Sequence, residues 1–148
     1  MALQAIPDGY HSITPTFSTQ DPEKAVAFFQ KAFGAEVRVG MKGPDGKLVH
    51  CEMQIADSRF MFGPPMDGKP RGMNVMLYVP NCEAAFKRAV GAGAEVIKGI
   101  EDQFYGDRTA RLQDPFGNEW YLGTHVEDVS DKEMERRFAL ISQGKPWK

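Results

Sequence analysis

A spacing of about 60 residues recurs along this chain, and an internal repeat constrains a fold more than any single motif. The tetrapeptide GAEV stands at 34–37 and again at 93–96. Gly46 and Gly106 are 60 residues apart, as are Gly63 and Gly123. The strand-like run ITPTFST at 13–19 stands the same distance before MNVMLYV at 73–79.

Each GAEV follows a helical pattern. Asp21 reads as an N-cap with Pro22 at the first helical position, where its missing N–H costs nothing. Val26, Phe29 and Phe33 then form one apolar stripe, and Gly34 stops the helix. In the second half Asn81 caps CEAAFKRAVGAG, with Phe86, Ala89 and Val90 on one face and Gly93 as the stop. PDG at 44–46 and YGD at 105–107 are turns that open strand patterns, LVHCEMQIA and RTARLQ.

The spacing therefore predicts an α+β chain, one domain over 1–148 made of two tandem βαβββ modules. They run over 10–63 and 73–124, with a Pro- and Gly-rich linker at 64–72. Ser130 and Glu133 predict a capping box that opens a helical appendage over 130–142. Met134, Phe138 and Ile141 share its apolar face, which predicts docking on the surface or on a partner subunit. GKPWK at the end reads as a frayed tail.

Composition narrows the partners. Lys and Arg number 18 against 20 acids, a formal charge of −2 without a basic stripe, which argues against nucleic acid. Nowhere do about 18 apolar residues run together, so no membrane-spanning helix is expected. The first residues lack a signal-peptide pattern, and Cys51 and Cys82 stand outside any C-x-x-C pair. Two reduced thiols in a cytoplasmic chain is the expectation.

Period-two alternation sorts the strand residues by face. Val49, Cys51, Met53 and Ile55 face the helices, and His50, Glu52 and Gln54 lie opposite. Asn74, Met76 and Tyr78 are set against Val75, Leu77 and Val79, and Glu119 and Tyr121 against Trp120 and Leu122. The first strand places Ser12, Thr14, Thr16 and Ser18 on one face. A mixed aromatic and polar inner surface of this kind suits a small-molecule pocket, the alternative being the solvent face of a sheet. His50 and Glu52 share a face at i, i+2. They fit either a general base with its orienting carboxylate or a hydrogen-bonded pair without chemistry. His11 alternates toward the helix side, and His125 reads as a loop residue. In EDQFYGDR (101–108), Phe104 and Tyr105 suit the mouth of a cavity, and Asp107 and Arg108 a rim ion pair.

The paired βαβββ halves, the DPFG turn at 114–117 and the helix-to-GAEV junctions resemble the vicinal oxygen chelate superfamily. That group includes glyoxalases, extradiol dioxygenases and bleomycin-sequestering proteins. The runs YHSITP, HCEMQI, EDQFYGDRTARLQDPFGNEW and THVEDVS are similar to its PhnB-like branch, over roughly 10–138. The resemblance implies a curved mixed sheet around a cavity, and a homodimer. In metal-using members it also implies two ligands per module, typically His or Glu. Those positions fall here on Thr14, Met61, Asn74 and Tyr121. None is a strong ligand for a divalent first-row ion, so no metal and no other cofactor is expected. Glu119 stands two residues short of the last position and leaves a displaced site as the alternative.

Three functions follow in order. The first is a binding module that captures a small organic molecule in a metal-poor cavity. Its walls would be Thr14, Met61, Asn74, Met76, Tyr78, Phe104, Tyr105 and Tyr121. The second is a metal-dependent glyoxalase-type lyase or dioxygenase with displaced ligands, for which His50, Glu52 and Glu119 are the catalytic candidates. The third is an interaction protein that uses the C-terminal helix.

Overall fold

The computed structural model describes residues 2–148. One half comprises β1 (Thr16–Ser18), α1 (Pro22–Phe33), β2 (Glu36–Lys42), β3 (Leu48–Ile55) and β4 (Ser58–Gly63). The other comprises β5 (Asn74–Tyr78), α2 (Cys82–Ala92), β6 (Glu95–Asp102), β7 (Asp107–Gln113) and β8 (Glu119–His125), and α3 (Asp131–Ser142) follows. Each half builds its own four-stranded mixed sheet, ordered β1-β4-β3-β2 and β5-β8-β7-β6. The first strand of each runs parallel to the last, and the other pairs are antiparallel. Thr16 pairs with Met61 in one sheet and Met76 with Tyr121 in the other, so the sequence repeat is carried into the register.

The helices form for local reasons and then face each other. The Asn81 side chain accepts the Ala84 amide at 3.0 Å, as a cap should. Asp21 does not cap α1; instead Thr19 Oγ accepts the Asp21 amide at 3.2 Å. Pro22 has already removed one donor from that first turn, so less capping is required there. Both helices stop at a glycine in the left-handed region, Gly34 at φ 65° and Gly93 at φ 117°, where a side chain would be strained. Arg88 of α2 donates to the carbonyls of Lys31 (2.7 Å) and Gln30 (3.3 Å) in the last turn of α1.

Because α1 is covered by α2 as well as by its own sheet, its buried face is wider than the predicted stripe. Ala25, Phe28, Phe29 and Ala32 are buried, while Val26 and Phe33 are only partly so. Phe29 is the meeting point. Its ring lies 5.1 Å from Phe60 and 5.8 Å from both Phe17 and Phe62 in its own half. Across the seam it lies 5.5 Å from Trp120 and 6.2 Å from Phe116. One continuous core therefore joins the two halves. Cys51 and Cys82 are buried in it, and burial pushes both thiols up.

The DPFGN stretch is a buried hub. Asp114 is 4% exposed. Its Oδ1 accepts the amides of Phe116 (2.9 Å) and Asn118 (3.0 Å), and its Oδ2 accepts Asn118 Nδ2 and Trp120 Nε1, both at 2.8 Å. Asn118 in turn accepts the Met73 amide at 2.9 Å, which fastens the end of the linker to the turn.

Four local expectations change. The first strand is shorter than 13–19, because Pro15 has no N–H to give the ladder. His125 is the last residue of β8, not a loop residue. Asp107 and Arg108 form no pair with each other: Arg108 binds Asp102 at 2.7 Å, and Asp107 takes other partners described below. The tail is tied back: Trp147 lies under Arg137 at 4.8 Å, and Lys148 Nζ meets Asp102 at 2.9 Å. In α3, Ser130 accepts the Glu133 amide at 3.2 Å, one half of the predicted capping box, while the Glu133 carboxylate binds Arg136 and Arg137. Its anchor, however, is buried Arg137, bound to Glu127 at 2.6 Å and to Glu133 at 2.9 Å, while Phe138 stays 57% exposed. Among the described residues no helix is long and apolar enough to cross a membrane.

Replacing Asp114 with Ala removes a charged acceptor and orphans buried donors, which should lower stability by about 2–4 kcal/mol. Urea unfolding of the variant measures it, and an unchanged midpoint would contradict the hub.

Candidate functional site

A largely apolar concavity opens where the two halves meet. It has a volume of about 410 Å³ and lies between the arm before β1, the β3–β4 turn and β5. Its apolar wall is Ile13, Ile55, Phe60, Val75, Leu77 and Trp120. Tyr10, Thr14, Arg59, Met76 and Tyr78 supply polarizable and polar groups. Ile13 is 84% exposed, Met76 40% and Tyr78 59%, so apolar surface is left uncovered around this opening. The cavity lies beside β1 and β5, the edge strands of their two sheets. Gly123 helps shape it. A Cβ there would come within 2.3 Å of Met76 Cε, so the missing side chain gives Met76 its room beside Tyr78.

The inner faces of the two sheets turn away from the shared core. On the first, Glu52 is buried, and its Oε2 meets His50 Nε2 at 3.2 Å. Its other oxygen accepts the hydroxyl of Tyr10, whose ring lies 4.7 Å from the Arg59 guanidinium. The arm before β1 thus lies on the first inner face. On the second, Arg111 stacks on Tyr121 at 4.7 Å and pairs with Glu119 at 2.8 Å. A smaller concavity of about 190 Å³ there is lined by Lys98, Glu101, Gln103, Tyr105, Arg111 and Tyr121.

Matching the registers of the two sheets exposes a reversal of charge. Glu52 lies opposite Met61 as Arg111 lies opposite Tyr121, and Arg59 lies opposite Gln54 as Glu119 lies opposite Gln113. Acid and base are exchanged at both equivalent positions.

At the edge of the main cavity, Tyr78 Oη donates to Asp107 Oδ2 at 2.6 Å. His125 Nδ1 meets Asp107 Oδ1 at 2.8 Å, and its Nε2 meets Asp128 Oδ1 at 2.8 Å. Asp107 is 3% exposed. The Asp107 carboxylate raises the Tyr78 phenol above the ordinary range by accepting its proton, with burial adding to it. Asp128 and then Asp107 hold the His125 imidazolium, so its pKa is raised.

Of the eight predicted wall residues, Thr14, Met76 and Tyr78 line the main cavity. Tyr105 and Tyr121 line the smaller one instead. Phe104 lines neither of these two; it packs on Phe138 (5.7 Å) and Tyr105 (5.3 Å), which fastens α3 to the β6–β7 loop. Met61 lies in β4, and Asn74 is exposed beside Glu119. The catalytic candidates His50, Glu52 and Glu119 are held on inner faces of different sheets, engaged with Tyr10 and Arg111. Alternation assigned Val75, Leu77 and Trp120 to the core, and His11 to the helix side. It missed that a gap between two free edges reaches them from the side. The signal that was present is Ile13, an apolar residue in a polar arm.

The positions to which the resemblance assigns a metal, Thr14, Met61, Asn74 and Tyr121, carry a hydroxyl, a thioether, an amide and a phenol, with Arg111 lying over the phenol ring. That donor set does not fit a divalent first-row ion, which binds imidazole and carboxylate at such corners. Among the described residues no group of three or more His, Cys, Asp or Glu side chains gathers.

The sequence matches the family model described as the glyoxalase/bleomycin resistance protein/dioxygenase superfamily over residues 11–122. It is 33% identical to an uncharacterized protein of Mycobacterium bovis, over 90% of this chain and 94% of that one. An uncharacterized protein of Mycobacterium tuberculosis H37Rv is equally similar, at 33% over 90% of this chain and 84% of that one. Among solved structures, TioX from Micromonospora sp. ML1 superposes with a TM-score of 0.69 at 20% identity, covering 78% of this chain and all but 1% of its own. The lactoylglutathione lyase of Agrobacterium tumefaciens does so with 0.60 at 16%, covering 80% and 94%. At these identities the solved structures speak for the fold alone. The chain belongs to the glyoxalase/bleomycin resistance protein/dioxygenase superfamily.

Proposed function

We propose that this protein binds a small, largely apolar organic molecule in the cavity between its halves, without a metal. The observation that carries the reading is the cavity of about 410 Å³ with Phe60, Val75, Leu77 and Trp120 on its apolar wall and His11, Asp57 and Arg59 among its polar groups. Concave, mostly apolar sites with a small number of placed polar groups are what such ligands occupy. The donor chemistry at Thr14, Met61, Asn74 and Tyr121 favours binding over metal-assisted lyase or dioxygenase chemistry. A displaced metal site gains no support from Glu119, whose carboxylate is paired with Arg111. Within the superfamily, the runs YHSITP and HCEMQI favour the PhnB-like branch. The neutral charge balance and two buried thiols fit a cytoplasmic protein.

The same reading includes a homodimer. Charge reversal between the inner faces makes the first sheet of one copy complementary to the second sheet of another. In a two-fold pair each chain contributes one face to each contact, so Arg59 approaches the partner's Glu119 region twice.

2-Naphthol at a hundredfold its Kd should stabilise the protein by about 2.7 kcal/mol, a rise of roughly 5–10 °C in Tm. Ile13→Trp fills the mouth from an exposed position and should abolish that rise. No shift with naphthol, or an undiminished shift in the variant, contradicts the cavity reading. Sedimentation velocity should give twice the chain mass. Arg59→Glu should weaken the pair, and Arg59→Glu with Glu119→Arg should restore it; a monomer throughout rules the pairing out.

A further inference from the structure

The ligand-binding reading can be deepened to the kind of polar group the ligand must carry, and the inference rests on that reading. We propose that the cavity selects apolar molecules bearing an O–H or N–H donor, which is received by the oxygen of Tyr78.

A phenol has one proton to give and lone pairs to receive. Tyr78 lines the cavity, and its hydroxyl donates to Asp107 Oδ2 at an O–O distance of 2.6 Å. That arrangement is fixed from behind. Asp107 is almost wholly buried, and His125 Nδ1 holds its other oxygen at 2.8 Å. His125 is held in turn by Asp128 at 2.8 Å, and the two carboxylates raise its pKa and favour a proton on Nδ1 directed at Asp107. With donors on both oxygens, Asp107 has no reason to release the Tyr78 proton, and turning the phenol to donate into the cavity would strip a buried carboxylate of a partner. The raised phenol pKa keeps that proton in place at neutral pH. Tyr78 therefore offers the cavity only lone pairs.

Neighbouring groups on the wall sharpen the preference. Trp120 has its only donor turned to Asp114 at 2.8 Å, and Ser58 directs its hydroxyl to Asp57 at 2.8 Å. Tyr10, like Tyr78, donates its proton to a buried carboxylate, that of Glu52. Arg59 is a strong donor on the same wall, with Nε on Gln54 at 3.1 Å and its guanidinium over the Tyr10 ring. Uncharged probes leave that cation little to discriminate. A matched pair that differs only in one proton reads the acceptors on the wall, Tyr10, Asp57 and Tyr78, and Tyr78→Phe isolates the share of Tyr78.

The test is isothermal titration of the intact protein with 2-naphthol and with 2-methoxynaphthalene, which share an apolar body and differ in the O–H. In the wild type the naphthol should bind about three- to tenfold tighter, the worth of one added hydrogen bond. Tyr78→Phe keeps the ring and removes the acceptor, so the ratio should fall to about one. Asp107→Asn should also lower it, because an amide N–H on the phenol oxygen frees the phenol proton toward the cavity. Equal affinities in the wild type, or a preference that survives in Tyr78→Phe, overturn the proposal while leaving the cavity as a binding site. If neither probe binds the wild type, the ligand-binding reading falls with it.

Discussion

The contact between Phe29 and Trp120 joins two half-proteins that are each too small to bury their own apolar faces. Phe29 comes from the helix of the first half and Trp120 from the last strand of the second, and their rings lie 5.5 Å apart. Trp120 reaches that position because the Asp114 turn takes its indole N–H at 2.8 Å. A buried indole needs such a partner, since leaving its donor unsatisfied costs roughly 1–3 kcal/mol. A four-residue turn therefore orients the side chain on which both the core and the cavity wall depend.

Placing the helices at the centre has a geometric consequence. Each sheet gives one face to the shared core and turns its other face outward, where Glu52, Arg59, Arg111 and Glu119 reside. The first and fifth strands are left as free edges on either side of the seam, and the space between them is the cavity. Duplication has kept the backbone register while exchanging the charges.

Much of this was legible in the chain. The GAEV echoes, the glycine stops and the Asn81 cap report local backbone physics, and local physics survives folding. The alternation in β3 correctly separated Cys51 and Met53 from His50 and Glu52. What escaped were features set by contacts between distant segments. Val75 and Leu77 carry the pattern of core residues, yet they border a cavity that lies beside β5, an edge strand of its sheet. Asp107 and His125 are 18 positions apart, and neighbouring charges invited a pair with Arg108 that the sheet register directs elsewhere. Tyr10 stands in an arm without any periodic signal, and only the folded sheet shows that Glu52 awaits its hydroxyl.

Xenon tests the central claim without presuming a ligand, because it enters dry apolar space and little else. A crystal of the protein pressurised with xenon should show the gas bordered by Phe60, Val75 and Trp120. Finding that space collapsed, or filled by ordered water that xenon does not displace, would contradict an apolar binding cavity between the two halves.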